Sequence, residues 1–166
     1  QRQMCIRDRI DIFLLTSIAQ GGVESAAFFE KREQCFKALF SKGLDKDSLE
    51  KIEIAAEAEQ EIDSANTILS IQQMRLADGE KKALKEQGLE YLCGFRQKNE
   101  MTGLILLGKR IAGRGMKEDD FEFLRILVNV AQGAYENATM FEREHERTLG
   151  IVKTLISLIE ENTLLK

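Results

Sequence analysis

The sequence predicts an α+β fold, with a central antiparallel sheet, helices on both faces and a long, coiled-coil-like C-terminal helix. Two observations support this prediction. Short apolar runs are joined by polar turns, which is typical of antiparallel strands. Helical patterns precede, separate and follow these runs, and the last one continues to the end of the chain without a glycine or proline stop signal. We therefore expect strands and helices in separate layers.

A buried strand followed by a helix is the clearest local pattern. Residues 103–108 form a continuous apolar run bounded by glycines, which indicates a strand covered on both faces. The basic, glycine-containing residues 109–115 predict an exposed turn. From Lys117, carboxylates in a first helical turn precede apolar residues at helical spacing. The expected core includes Phe29, Leu104, Leu106, Leu124, Leu127 and Val128.

The N-terminal half predicts a helix and a hairpin. Residues 11–20 have an apolar face and end at two glycines, which predicts a short helix. Residues 23–30 and 34–40 are strand candidates separated by a charged turn, so we expect an antiparallel hairpin. Alternation in the second strand divides its side chains between two faces, with Cys35, Lys37 and Leu39 on one and Phe36, Ala38 and Phe40 on the other.

The middle of the chain is less distinct. Residues 47–58 are rich in Glu, Lys and Ala and predict a helix, while residues 67–74 suit either a helix or a strand. Residues 78–87 predict a helix that ends at Gly88. Residues 89–97 alternate between apolar and polar side chains and predict a strand, which a polar turn joins to the buried strand.

Composition and charge limit the classes of function. The chain of 166 residues has a formal net charge of −4, which does not indicate a nucleic-acid partner. Its apolar runs are too short to span a membrane. The three cysteines are widely spaced and form no Cys-x-x-Cys pair, which argues against a zinc site or a disulfide framework. We expect a cytoplasmic protein without a metal or another cofactor.

The two ends of the chain suggest a fragment. Residues 4–9 resemble the translation of a DNA-sequencing adapter, so we treat residues 1–9 as an artefactual leader. We assign residues 10–140 to one domain and residues 141–166 to a signalling or dimerisation helix. Because the helical pattern still runs at Lys166, we expect a chain truncated at both ends, whose output domain is missing.

Residues 101–138 also resemble the C-terminal half of a GAF domain, a sensory module of bacterial signalling proteins. The matching pieces are the strand Gly-Leu-Ile-Leu-Leu-Gly-Lys, the helix start Met-Lys-Glu-Asp-Asp and residues 131–138. Less closely, the resemblance extends back to Asp11. It implies a central antiparallel sheet, first and last helices on one face, and a small-molecule pocket that commonly forms on the other. It also implies a sensory role. We expect no enzymatic activity in this fragment, and the alternative of an enzyme is left to the missing output domain.

Two ligand classes of this family are poorly matched. Phosphodiesterase GAF domains that bind cyclic nucleotides have an Asn-Lys-Phe-Asp-Glu signature, and only Lys109 and Asp120 match it here. Bilin-binding GAF domains attach the chromophore through a cysteine that is commonly followed by histidine. Neither Cys35 nor Cys93 is followed by histidine. The resemblance therefore implies a small-molecule ligand of unknown identity.

One strand face is the candidate ligand site. Tyr91, Cys93 and Phe95 share a face of the predicted strand 89–97, next to the uncertain middle segment, and are our candidate ligand- or cofactor-binding residues. The alternative is an ordinary core face. A more distant alternative is a thiol redox enzyme that uses Cys93. We predict no catalytic residues, because the only histidine, His145, lies far along the chain from either cysteine.

The C-terminal helix predicts an interaction surface. One set of residues recurs every seven positions from Leu124, and a second set recurs three positions after each of them. Together they form a heptad-like stripe with charged flanks. The helix would be about 75 Å long, too long for one small domain to cover. We expect a parallel homodimer through the part after Phe141, whose apolar side chains otherwise stay exposed. The first set is Leu124, Ala131, Ala138, His145, Val152 and Ile159, and the second set is Leu127, Ala134, Phe141, Thr148, Leu155 and Asn162.

Two functions are compatible with this sequence. The first is a sensory or regulatory module that binds a small molecule and transmits its state through the C-terminal helix. The alternative is a structural dimerisation module with a filled core and no ligand. Ligand-dependent stabilisation separates the two, because a ligand that binds the folded state raises its stability.

Overall fold

The computed structural model describes residues 6–62, 67–113 and 115–164, with the side chains of residues 7–62, 67–113 and 115–160. Its helices are α1 (Ile6–Gly21), α2 (Lys46–Leu49), α3 (Asp78–Glu86) and α4 (Glu118–Leu164). Its strands are β1 (Ala26–Lys31), β2 (Cys35–Lys42), β3 (Glu53–Ala55), β4 (Leu69–Ser70), β5 (Leu89–Gln97) and β6 (Glu100–Gly108). Short 3₁₀ helices cover Ala56–Glu61 and Ile71–Gln73.

β1 and β6 lie at the centre of an antiparallel sheet with the strand order β3-β2-β1-β6-β5-β4. Across the two central strands, Ala27 pairs with Leu106 and Phe29 pairs with Leu104. The side chains from Leu104 to Leu107 are completely buried, so β6 is covered on both faces. This burial explains the continuous apolar run of the strand. The sheet and its helices confirm the predicted α+β fold.

Each face of the sheet has its own hydrophobic cluster. α1 and α4 cover one face, which we call the helix face, and Leu14, Leu124 and Val128 are buried there. α2, α3 and the 3₁₀ helices cover the opposite face, where Leu84 is buried. The first and last helices therefore share a face, as the sequence resemblance implies. The predicted core residues are buried, except that Leu127 is only partly so.

A β-bulge at Leu39 changes the predicted faces of β2. The register between β1 and β2 shifts between Phe28 and Phe29, which leaves Leu39 without a paired residue on β1. The extra residue reverses the alternation of side chains beyond it. Phe36 packs on the face covered by α2 and α3, whereas Phe40 packs on the helix face. The prediction that Phe36 and Phe40 share a face is wrong for this reason.

The prediction of a helix over residues 47–58 is also wrong. α2 has only four residues, and β3 then pairs with the edge of the sheet through Glu53 and Lys37. These two side chains form an ion pair, with 2.6 Å between Nζ and Oε1. Ile54 of β3 is fully buried in the core. Pairing and burial at the sheet edge outweigh the helix propensity of a Glu- and Ala-rich segment.

The other boundaries differ from the prediction by a few residues. α3 and β5 agree with the predicted helix and strand, and residues 67–74 contain the two-residue β4 and a 3₁₀ helix. α1 begins at Ile6, so it includes part of the segment that we treat as a leader. In that part, Arg9 Nη1 donates a hydrogen bond to the carbonyl oxygen of Ala134, 3.3 Å away. Ile10 is buried on the helix face.

Asp120 holds the start of α4 in place. Its Oδ2 accepts a hydrogen bond from the backbone N–H of Lys117 at 2.8 Å and forms an ion pair with Arg110 Nη1 at 2.7 Å. The carboxylate therefore caps the helix and connects the preceding turn to it. Lys109 is the other residue that matches the cyclic-nucleotide signature, and its Nζ lies 3.9 Å from Glu24 Oε2.

Leu106→Ala should lower the free energy of unfolding by about 2–5 kcal/mol, because it leaves a cavity where a side chain is fully buried. The matched control is Ile111→Ala in the exposed turn, where the side chain is 62% exposed and the loss should be about 0.5 kcal/mol or less. Chemical denaturation followed by circular dichroism measures both. Equal losses for the two substitutions would contradict this account of the core.

Candidate ligand-binding site and helical output

The predicted site residues Tyr91, Cys93 and Phe95 lie on β5 and share the helix face. Leu92, between them, belongs to the opposite cluster. Cys93 is completely buried and Phe95 is nearly so, whereas Tyr91 is partly exposed. The structure therefore places the three side chains on one face, as predicted, and this face lies against α1 and α4.

Aromatic contacts fill the space around two of these side chains. Phe95 packs edge-on against Phe28 and Tyr135, with ring centroids 5.3 and 5.4 Å apart. Tyr91 packs edge-on against Phe121 of α4, at 5.5 Å. The gap beside Phe95 has a volume of about 10 Å³, far below that of a small-molecule site. A ligand at this face would have to separate α4 from the sheet, and the assignment of these residues to a ligand site stays a prediction.

Burial controls the chemistry of Cys93. Loss of hydration raises the pKa of its thiol to about 12, because burial disfavours the charged thiolate. At neutral pH the folded protein therefore holds a protonated thiol there, which is a poor nucleophile. Cys35, on β2, is partly exposed. Among the described residues, no group of three or more His, Cys, Asp or Glu side chains is placed to bind a metal ion.

The opposite face of β5 is closely packed beside Gly94. A methyl group on Gly94 would come within 2.7 Å of Met101 Cε and 2.9 Å of Ile62 Cγ2. Side-chain carbons do not approach one another this closely in a packed protein interior. Leu76 and Leu84 are buried in the same cluster. The described residues therefore leave no space for a ligand next to Gly94 on this face.

A larger concave site lies at one end of the sheet. It is a groove of about 720 Å³ between α3, the start of β5 and the end of β6, and its volume is typical of small-molecule sites. Tyr91 borders this groove, whereas Cys93 and Phe95 do not. We call it the lysine groove, because its lining includes Lys81, Lys82, Lys85 and Lys109, together with Glu90.

The lysine groove could not be predicted from the sequence. Lys81 and Lys85 are four residues apart and therefore lie on the same side of α3, which is the only local signal. On its own, that pattern indicates the solvated surface of a Glu- and Lys-rich helix. Lys109 comes close to these lysines only because β6 pairs with β5, which is a long-range contact that no local pattern reveals.

α4 presents different sides to the domain along its length. The helix has 47 residues and is about 70 Å long. Leu124, Val128 and Ala138 are buried against the domain, while residues 141–160 are all exposed. A strict seven-residue repeat turns by about 20° per heptad around a straight helix, or about 100° over five heptads. The predicted stripe therefore faces the domain at Leu124 and has turned away from it at Ile159.

Besides the predicted stripe of α4, an exposed apolar surface lies on the outside of the domain, where α1 and α4 meet. Ile12 of α1 and Val130 of α4 border an apolar groove of about 240 Å³ between the two helices. Ile12, Val130 and the nearby Ile126 are 48%, 63% and 57% exposed. At about 100° per residue, several exposed apolar residues of α4 share one side of the helix. We call this side the outer stripe; it comprises Ile126, Val130, Phe141, Val152, Leu155 and Ile159.

Gln132 connects α4 directly to β5. Its side-chain Oε1 accepts a hydrogen bond from the backbone N–H of Arg96 at 2.7 Å. The glutamine thereby gives a partner to a backbone donor of β5 that lies next to the register shift between Phe95 and Arg96. The guanidinium of Arg96 donates to the carbonyl oxygens of Ile62 and Asn99, at 3.0 and 3.1 Å. From the sequence we expect residues 132–138 to pack on the sheet, but no local pattern indicates this hydrogen bond of Gln132.

Comparison with solved structures defines the fold of this chain. No family model matches the sequence, and no curated protein matches it. The GAF domain/HD domain protein from Geobacter sulfurreducens aligns with a TM-score of 0.67 at 11% identity, over 82% of this chain and 95% of that chain. The GAF domain of a two-component sensor histidine kinase from Bacillus halodurans aligns with a TM-score of 0.63 at 18% identity, over 84% of this chain and 99% of that chain.

A third similar structure contains a ligand. It is the far-red absorbing dark state of JSC1_58120g3 with bound biliverdin IXa, with a TM-score of 0.57 at 17% identity, over 81% of this chain and 94% of that chain. Identities this low show the fold alone. The chain is therefore an α+β domain with an antiparallel sheet and its terminal helices on one face. Its particular fold is that of GAF domains, which confirms the sequence resemblance.

The helices of the described residues were compared with the length and apolarity that a membrane span requires. None of them is both long enough and apolar enough to cross a membrane.

Cys93 should resist thiol reagents in the folded protein. A Cys5→Ser, Cys35→Ser variant leaves Cys93 as the only thiol. An aromatic disulfide reagent at about pH 8 should label it only after denaturation, because burial excludes the reagent and a raised pKa keeps the thiol protonated. The control is a Cys5→Ser, Cys93→Ala variant, whose partly exposed Cys35 should react faster. Rapid labelling of native Cys93 would revive the thiol-enzyme alternative.

Proposed function

We propose that this chain is a GAF-type sensory module that binds a small molecule and transmits its state through α4 to an output domain. The observation that supports this most strongly is the continuity of α4. The same helix packs on the sheet through Leu124 and Val128 and extends beyond the domain from Phe141 onward. A rigid element that contacts both regions can pass a change in packing from one to the other.

The contacts of α4 inside the domain suit this role. Gln132 accepts a hydrogen bond from the backbone of β5 at Arg96, and the carbonyl of Ala134 accepts one from Arg9 of α1. Gln132 and Ala134 lie within one turn of α4, so a movement of the sheet and a movement of α1 would both act on the same turn of this helix. The size of the response is limited by the difference in the ligand's affinity for the two arrangements.

The proposal includes a parallel homodimer through α4. From Leu149 to Ile159, exposed apolar side chains recur along the helix, and exposing them to water is unfavourable. The outer stripe continues from this segment onto the domain at Ile126 and Val130. A second copy in parallel is the occupant that would cover this whole length, because each stripe then lies against its equivalent.

Sedimentation should show a dimer for the wild-type chain and a monomer for the Leu155→Glu, Ile159→Glu variant. Carboxylates in an apolar interface lose hydration and repel one another across it. The matched control is Lys153→Glu with Ser157→Glu, which adds two carboxylates to the same segment but on the other side of the helix, and it should stay dimeric. A monomeric wild type at high concentration would remove this interface, and so would a Leu155/Ile159 variant that still dimerises.

A small-molecule ligand should raise the temperature of unfolding. Thermal unfolding in the presence of a library of metabolites and nucleotides should identify at least one compound that stabilises the protein increasingly with its concentration. The monomeric Leu155→Glu, Ile159→Glu variant is the control, because it retains the domain and should still bind. A dimer that no compound stabilises would favour the alternative function, a structural dimerisation module without a ligand.

An enzymatic role has less support. The thiol redox alternative depends on Cys93, whose burial and raised pKa both work against thiolate chemistry. We therefore propose no catalytic activity for this chain. Because Cys35 and Cys93 are both free thiols, we also propose a cytoplasmic location, where thiols remain reduced.

A further inference from the structure

We infer that the lysine groove binds a small phosphorylated metabolite that has two or more negative charges. This inference rests on the proposed sensory function, since it names a ligand class and a site for it. The groove is concave, and its volume of about 720 Å³ suits a free metabolite better than a peptide chain or a membrane surface.

The groove is positively charged within a chain that is negative overall. The chain has a formal net charge of −4. The lining contains four lysines and one glutamate, Glu90, which gives it a formal charge of +3. A concave surface with one sign of charge raises the local concentration of small molecules of the opposite sign. The charge distribution therefore selects anions at this site.

The protein itself compensates little of this positive charge. Within the described residues, Lys82 and Lys85 have no carboxylate within the 4.0 Å of an ion pair. Lys81 Nζ donates a hydrogen bond to the carbonyl oxygen of Gln72, 3.3 Å away. Lys109 Nζ lies 3.9 Å from Glu24 Oε2, at the long end of an ion pair. Because an ammonium group has three donors, each lysine retains donors for ligand oxygens.

Two separate elements supply the lysines, which favours a ligand with several charged oxygens. Lys81, Lys82 and Lys85 belong to α3, and Lys109 follows the last residue of β6. A phosphate or diphosphate group offers several charged oxygens, so it can accept bonds from both elements at once. Tyr91 also lines the groove and is partly exposed, so its ring provides an aromatic surface for the organic part of the ligand.

Isothermal titration of the full chain with inorganic pyrophosphate and with ADP tests this site. Both should bind, and adenosine, which lacks the charges, should not. Lys82→Glu with Lys85→Glu should weaken binding of both by about tenfold or more, since each reversal removes an attraction and adds a repulsion. The matched control is Lys46→Glu with Lys51→Glu, which makes the same change of net charge near β3, at the opposite edge of the sheet, and should bind like the wild type.

Several outcomes would overturn the inference. The first is that the wild type does not bind pyrophosphate or ADP in the millimolar range. The second is that the Lys82/Lys85 variant binds them as tightly as the wild type does. The third is that the Lys46/Lys51 variant loses as much affinity as the Lys82/Lys85 variant. Circular dichroism checks that each variant folds; if charge reversal prevents folding, Lys82→Gln with Lys85→Gln replaces it and should weaken binding by about threefold or more. These results can be told apart from failure of the proposed sensory function. If a neutral compound stabilises the protein but pyrophosphate and ADP do not bind, the sensory function stands and only this inference fails.

Discussion

The two central strands must be covered on both faces, and this requirement determines where the helices lie. Leu104 and Leu106 of β6 face one cluster, while Ile105 and Leu107 face the other. Each fully buried side chain of this size is worth about 1.5–3 kcal/mol relative to exposure, so neither face can be left open to water. α1 and α4 together cover one of them. α4 is therefore part of the core, and the signalling role that we propose for it must be compatible with that packing.

The fold could be predicted where the information is local. The continuous apolar run of β6, the alternation in β5 and the acidic start of α4 are each contained in a few neighbouring residues, and the structure agrees with them. β3 could not be predicted, because Glu53 and Ile54 become a strand only by pairing with the edge of β2. The bulge at Leu39 was hidden for a related reason, since its register depends on the partner strand. Long-range pairing thus decides the elements that local patterns misjudge.

The candidate site could be predicted only in part. A period of two places Tyr91, Cys93 and Phe95 on one face, and that statement needs no knowledge of the fold. Which layer covers the face depends on the topology, and in this chain α1 and α4 fill it with aromatic contacts at Phe95. The lysine groove shows the same limit, since Lys109 lines the same groove as α3 only through the pairing of β5 with β6. Residue spacing can reveal a shared face, but it cannot reveal what lies opposite.

β5 is the element through which a ligand in the lysine groove would act on α4. At one end of this strand Tyr91 borders the groove and packs against Phe121 in the first turns of α4. Near the other end the backbone of Arg96 is bonded to Gln132. A ligand that displaces Tyr91 would therefore bias the rotation of α4 about its own axis. In an α-helix such a rotation reorients every exposed residue, so it would turn the outer stripe relative to a second copy. Thr148, a polar residue on the same side of α4, interrupts the outer stripe between Phe141 and Val152. This interruption weakens the preference of the stripe for a single register and lowers the energy needed to shift it.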